Sequence, residues 1–175
     1  MRYLSLILLS LTLSSCWAGT NLYSVSDAGP AIPPGVYEFT MPDEPPKVAR
    51  VTTLANGMTQ FDWGEEKESH GFAPLEPAHG TYVTWDEPKA DPSELKGTTA
   101  PNQFYMLMVR QSNGDFVFYP PQCTDAGADV ARKAGATIEQ GTVPICIFPT
   151  RASLEAALRL VPRDDENAMK VKRIP

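Results

Sequence analysis

Apolar and polar residues alternate over several short runs in the first half of the chain, which predicts β-strands with one buried face. Asn56-Gly57 separates two of these runs, and this dipeptide is the strongest local signal for a β-hairpin. Prolines at positions 42, 45 and 46 end the first run. The predicted strands cover residues 36–40, 48–54, 58–63 and 82–85.

In the second half, the six apolar residues 104–109 predict a central strand that is buried on both faces. A turn at residues 112–114 leads back into a strand over residues 116–119, which gives a second hairpin. Residues 143–148 predict another strand. We expect it at a sheet edge, because Pro144 has no backbone N–H to donate.

Two short helices complete the predicted elements. Asp125 is expected to cap a helix that runs through Gly135, and Thr150 is expected to cap a helix over residues 151–161. Pro162 ends the second helix. Its apolar residues recur at helical spacing on one face: Leu154, Ala157, Leu158 and Val161.

These elements predict an α+β fold, mainly antiparallel sheet, in a single β-rich domain over residues 35–162. Residues 16–34 are rich in Gly, Pro, Ser and Asn, which is typical of a flexible tether. Residues 86–101 have three prolines and no periodicity and predict a long loop. Residues 163–175 are highly charged and predict a mobile tail.

The first residues have the pattern of an export signal. Arg2 supplies a positive charge, and residues 4–13 form an apolar core that is shorter than the roughly 20 residues needed to span a bilayer. The core ends in Leu13-Ser14-Ser15-Cys16. This segment resembles the bacterial lipoprotein class, whose lipobox joins an aliphatic residue, two small residues and a cysteine.

The resemblance implies that residues 1–15 are cleaved and that Cys16 carries the lipid, with Leu13, Ser14 and Ser15 as recognition residues. Two or three acyl chains give stable anchoring, which makes the membrane a partner. In this class an aspartate after the cysteine typically retains the protein in the inner membrane. Because Trp17 occupies that position, we expect the outer membrane, facing the periplasm, with the inner membrane as the alternative. An ordinary secretory leader is the other interpretation of these residues.

Two further cysteines, Cys123 and Cys146, remain in the exported chain. An exported domain with two cysteines favours one structural disulfide, here closing a loop of 146 − 123 + 1 = 24 residues. A reactive thiol pair is the alternative, but the Cys-x-x-Cys spacing typical of such pairs is absent from the sequence.

The chain contains two histidines, His70 and His79, and four glutamates lie before and between them. Both imidazoles with one carboxylate could bind a metal ion. Their spacing of nine residues matches no helical metal motif, and an acidic solvated loop explains the same residues. They are therefore weak metal candidates, and the sequence predicts no cofactor.

No catalytic motif stands out, since Gly-x-Ser-x-Gly, Gly-x-Gly-x-x-Gly and phosphate-loop patterns are all absent from the sequence. Residues 16–101 carry 5 basic and 13 acidic side chains, which argues against nucleic acid and favours a cationic or envelope protein partner. We therefore expect a non-catalytic binding, scaffolding or accessory role. The alternatives are an envelope hydrolase acting on peptidoglycan or peptides, and a metal-binding envelope protein.

Overall fold

The computed structural model describes residues 17–86, 101–141 and 143–175. These ranges contain eleven strands and two α-helices. The strands are β1 Trp17–Gly19, β2 Gly35–Thr40, β3 Lys47–Thr53, β4 Thr59–Asp62, β5 Lys67–Glu76, β6 Thr81–Asp86, β7 Gln103–Arg110, β8 Phe116–Tyr119, β9 Thr137–Glu139, β10 Ile145–Phe148 and β11 Met169–Ile174. The helices are α1 Asp125–Lys133 and α2 Arg151–Leu158.

Eight strands form a closed antiparallel barrel. Their order is β6-β5-β4-β3-β2-β11-β8-β7, and β7 pairs again with β6 to close the ring. Both predicted Asn-Gly turns are present, joining β3 to β4 and β7 to β8. The predicted α+β class with mainly antiparallel sheet is therefore confirmed.

A small sheet branches from the barrel at the first half of β7. There β1 pairs antiparallel with β7 and parallel with β10, and β10 pairs antiparallel with β9. The predicted edge position of the strand near residues 143–148 is wrong, because β10 has a neighbour on each side. Pro144 lies just before β10, so its missing N–H removes no hydrogen bond from the strand.

The protein has two hydrophobic clusters, one on each side of the barrel wall. The inner cluster fills the barrel, mainly with aromatic side chains from β2, β4, β5 and β8: Tyr37, Phe39, Phe61, Phe72, Phe116 and Phe118. The outer cluster lies between the wall and the two helices, and Trp17, Trp85, Tyr105, Phe148 and Leu154 belong to it. β7 contributes to both clusters, as predicted, although Phe104 at its start is 43% exposed.

The helices follow the prediction except at three of their ends. Thr150 caps α2 by accepting a hydrogen bond from the Ser153 N–H, but α2 ends at Leu158 rather than near Val161. Asp125 does not cap α1, because it is the first residue of the helix and Thr124 occupies the cap position. α1 ends at Lys133, and Gly135 then takes a φ of +87° that favours glycine.

Two segments predicted to be flexible belong to the folded domain. Residues 17–34 are not a tether, since they contribute β1 and the buried side chains of Tyr23 and Ile32. Residues 163–175 are not a mobile tail, since β11 completes the barrel between β2 and β8. The predicted loop at residues 86–101 falls almost wholly on residues 87–100, which lie outside the described ranges.

Candidate functional site

The predicted lipobox, Leu13-Ser14-Ser15-Cys16, lies outside the described residues, which begin at Trp17. The predicted disulfide is present. Cys123 and Cys146 are joined, with a Cα–Cα distance of 5.5 Å, and both are almost fully buried in the outer cluster. The bridge ties the segment between β8 and α1 to β10.

The two histidines do not meet. His70 lies on β5 and faces the barrel interior, whereas His79 lies in the turn after β5 with a side chain that is 76% exposed. Six residues of extended strand from His70 to Glu76 span about 20 Å. The structure therefore does not support a metal site that uses both imidazoles.

His70 is instead held between two carboxylates. Its Nδ1 lies 2.8 Å from Asp86 Oδ1, and its Nε2 lies 3.6 Å from Glu68 Oε2. The Phe61 ring packs against the imidazole with its centroid 5.1 Å away. The two carboxylates lie at opposite nitrogens of one ring, so a single metal ion cannot bind all three side chains. No metal-binding group of three such side chains occurs in the described ranges.

The charge of His70 follows from this arrangement. Burial alone would lower its pKa, but the hydrogen bond to Asp86 and the ion pair with Glu68 outweigh burial and raise the pKa to about 9. His70 is therefore a cation at neutral pH, with a carboxylate at each ring nitrogen. A protonated imidazole in this setting has no free nitrogen to act as a general base.

Two buried hydroxyls lie beside His70 on the inner face of the barrel. Thr59 is directly opposite His70 on β4, and Thr84 is two residues before Asp86 on β6. Both side chains are fully buried, and neither hydroxyl has a hydrogen-bond partner. Buried hydroxyls of this kind are commonly satisfied by ordered water.

Ten of the chain's 21 acidic residues lie at one end of the barrel. Neighbouring strands are antiparallel, so the turns after β2 and β4, the end of β6 and the segment before β11 lie at the same end. We call this the acidic end and define it as residues 41–47, 62–68, 86 and 163–168. It carries ten carboxylates and three basic side chains, two of which pair locally as Lys47–Glu44 at 2.6 Å and Lys67–Asp62 at 3.0 Å.

Aromatic side chains lie close to these carboxylates. Trp63 follows β4 and is partly exposed, with its ring centroid 4.7 Å from that of Phe39. Phe104 is the second residue of β7, beside the end of β6, and it is one of the few large apolar side chains exposed in the described part of the chain. The acidic end therefore combines negative charge with accessible aromatic surface.

A polar network that the sequence analysis missed holds residues 17–34 to the domain. Arg151 at the start of α2 pairs with Asp27 at 2.7 Å and with Glu155 at 2.8 Å, and it stacks over the Tyr23 ring. The Tyr23 hydroxyl donates to Glu155 at 2.9 Å. Despite partial burial, Arg151 holds the pKa of the Glu155 carboxyl below its usual value. Only the 3D fold brings these distant positions together.

Gln103 completes this attachment beneath the Tyr23 backbone. It is 3% exposed, its amide donates to the Tyr23 carbonyl at 2.7 Å, and its oxygen accepts from the Tyr23 N–H at 3.2 Å. Tyr105 donates to the same oxygen at 2.7 Å. The segment before β2 is therefore fixed by buried hydrogen bonds rather than by surface contacts alone.

Comparisons with protein families, with curated proteins and with solved structures found no match. Neither helix in the described ranges has the length and apolar character needed to cross a bilayer.

Proposed function

We propose that this protein is a lipid-anchored envelope protein of the bacterial lipoprotein type, with a non-catalytic binding role. Its site would be the outer membrane, facing the periplasm. The pairing of the cysteines gives the strongest support for this proposal. The chain has three cysteines, and Cys123 and Cys146 form the disulfide. The third, Cys16, is the cysteine of the lipobox. A buried disulfide also suits an oxidising compartment.

The non-catalytic role rests on how the reactive side chains are used. Both nitrogens of His70 face carboxylates, and the two thiols of the folded domain are oxidised. His79 is exposed in a turn far from them. Histidine and cysteine usually supply general bases and nucleophiles. Here His70 and the two cysteines have structural partners, and His79 lies in an exposed turn away from them.

The acidic end is the surface on which we expect a partner to bind. Its excess of carboxylates would attract a cationic protein by electrostatic steering. Trp63 and Phe104 would add aromatic contacts, which are common at the centre of protein interfaces. If this surface is used, capture of the partner by crosslinking in the native envelope should weaken steeply between low and high salt. Capture that is insensitive to salt would assign the contact to another face.

Lipid attachment is tested by feeding cells an alkyne-tagged fatty acid and measuring its incorporation into the full-length protein. We expect labelling and membrane sedimentation of the parent chain and loss of both in Cys16→Ser. Ser14→Ala is the matched control, because it keeps a small residue in the lipobox and should be labelled normally. Equal labelling and sedimentation of Cys16→Ser and the parent would refute the proposal.

A further inference from the structure

The inner face of the barrel carries a polar patch that reaches the surface at the acidic end. Thr84 and Asp86 lie two residues apart on β6, and Thr84 is opposite Phe72 of the inner cluster, so both side chains face the barrel interior. On the neighbouring strand β7, Met106 lies opposite Thr84, and the same register places Phe104 opposite Asp86. These side chains therefore form one continuous patch across β6 and β7.

Exposure increases along this patch toward the acidic end. Thr84 is fully buried, Met106 is partly buried, and Phe104 is 43% exposed. The Asp86 side chain is 50% exposed. At the other end of the barrel, Ile32 packs into the inner cluster shortly before β2 begins. A ligand would therefore approach the patch from the acidic end.

The polar atoms of the patch suit a ligand that donates hydrogen bonds. The Thr84 hydroxyl is buried and has no hydrogen-bond partner. The Asp86 carboxylate contacts His70 through Oδ1, and a carboxylate can accept further hydrogen bonds. Residues two apart on a strand are separated by about 7 Å, which leaves room between the two side chains for one hydrogen-bonded atom.

The charges around the patch favour a single cation. Glu68, His70 and Asp86 form a cluster of two carboxylates and one imidazolium, which leaves a net charge of −1. The other carboxylates of the acidic end add further negative charge. One ammonium group would neutralise the cluster, whereas an anion would be repelled.

We propose that this patch binds a small primary alkylamine, whose ammonium group lies between the Asp86 carboxylate and the Thr84 hydroxyl. An ammonium group has three donors and can bond to both oxygens. Its aliphatic chain lies against the adaptable side chain of Met106 and extends past the Phe104 ring to the acidic end. Neither the lipid anchor nor a protein partner is needed for this binding.

The test titrates the full-length protein with hexylamine and with two probes that have the same aliphatic chain. Hexanol keeps a hydrogen-bond donor without the charge, and hexyltrimethylammonium keeps the charge without a donor. Binding is measured by NMR from the shifts of the methionine methyl signals. The Met106 signal should shift, whereas Met58, which follows the Asn56-Gly57 turn at the opposite end, is the internal control.

Single-site variants locate the ammonium group. Thr84→Val removes the hydroxyl and keeps the shape of the side chain, and Asp86→Asn removes the carboxylate charge. Thr84→Ser keeps the hydroxyl and should bind hexylamine as the parent does. Thr59→Val is the matched control, because its buried hydroxyl also has no partner but lies on β4, two strands from Asp86. An unchanged Met58 signal shows that each variant is folded.

We expect hexylamine to bind about tenfold or more tightly than either matched probe, the difference that one hydrogen bond to a charged group can supply. Thr84→Val and Asp86→Asn should each weaken hexylamine binding by about tenfold or more. Equal binding of the three probes, hexylamine binding that survives Thr84→Val, an equal loss in Thr59→Val, or an unshifted Met106 signal would overturn the proposal. Crosslinking to a protein partner is a separate measurement, so the failure of one proposal leaves the other standing.

Discussion

The clearest quantitative prediction concerns the proton on His70. Its pKa rises from 6.5 to about 9 on folding, because the carboxylates of Asp86 and Glu68 outweigh the effect of burial. This rise corresponds to at most about 3 kcal/mol of stability. The Asp86 side chain is half exposed, so solvent screening should leave about 1–2 kcal/mol.

The pH dependence has a definite sign. A pKa that is raised on folding stabilises the folded state fully below the unfolded value of 6.5. The stabilisation is lost as the pH rises through about 9. Urea unfolding of the parent and of His70→Gln should therefore differ by about 1–2 kcal/mol near pH 6, and this difference should shrink toward pH 10.

The assay combines unfolding with a direct titration by NMR. The chain has only two histidines, so a His79→Gln variant assigns the two imidazole signals. Asp86→Asn keeps a hydrogen-bond acceptor but removes the charge, and it should lower the pKa of His70. An imidazole of His70 that titrates near 6.5 in the folded parent would refute the reasoning. So would a stability difference between parent and His70→Gln that does not change with pH.

Three further predictions test packing and covalent structure. Cys146→Ser should lower the free energy of unfolding by about 3 kcal/mol, the cost expected for opening a loop of this length, as measured by urea denaturation; equal stability with and without reductant would contradict it. Gly71→Ala should destabilise by about 1–3 kcal/mol, because its Cβ would lie within 3 Å of the Trp85 ring. Gly29→Ala is the control, because its Cβ would meet only the Phe72 carbonyl oxygen at an ordinary contact distance of 4.0 Å and should cause no steric destabilisation. Thr84→Val should change the stability by less than about 1 kcal/mol, because its hydroxyl has no protein partner to lose; a larger loss would reveal a bound water or ligand at that hydroxyl.

The features that the sequence predicts correctly depend on short-range chemistry. Asn56-Gly57 and Asn113-Gly114 bring their flanking strands together because these residues accept the backbone angles of tight turns, and both central glycines have positive φ. Thr150 caps α2 through its own hydroxyl. The disulfide follows from a count of two cysteines in a domain that the sequence predicts to be exported. The turns and the helix cap depend only on residue types within a short segment. The disulfide depends on a pairing for which the sequence offers few possible partners.

Only part of the candidate site around His70 could be predicted from the sequence. Glu68 and His70 lie two residues apart on one strand, so alternation places both side chains on the same face. Asp86 joins them only through the β5–β6 register, which residue spacing does not reveal. The metal interpretation paired His70 with His79 because they are close in sequence. His70 lies within the ten-residue strand β5, however, and His79 lies beyond its end. The extended strand therefore places the two residues far apart along the barrel.

The predicted tether and tail were wrong for one physical reason. Composition does not show what distant parts of the chain supply to a segment. Residues 17–34 are rich in Gly, Pro and Ser, and residues 163–175 are highly charged. β11 carries Lys170 and Lys172 on its outward face and buries Val171 inward, which is sufficient for a strand whose two neighbours supply the rest of the core. Residues 17–34 bury apolar side chains such as Trp17 and Ile32 in the two clusters, and Arg151 and Gln103 also hold them by polar contacts from distant parts of the chain. A segment that resembles a spacer in composition is thereby part of the domain, because its partners come from positions that lie far away in the sequence.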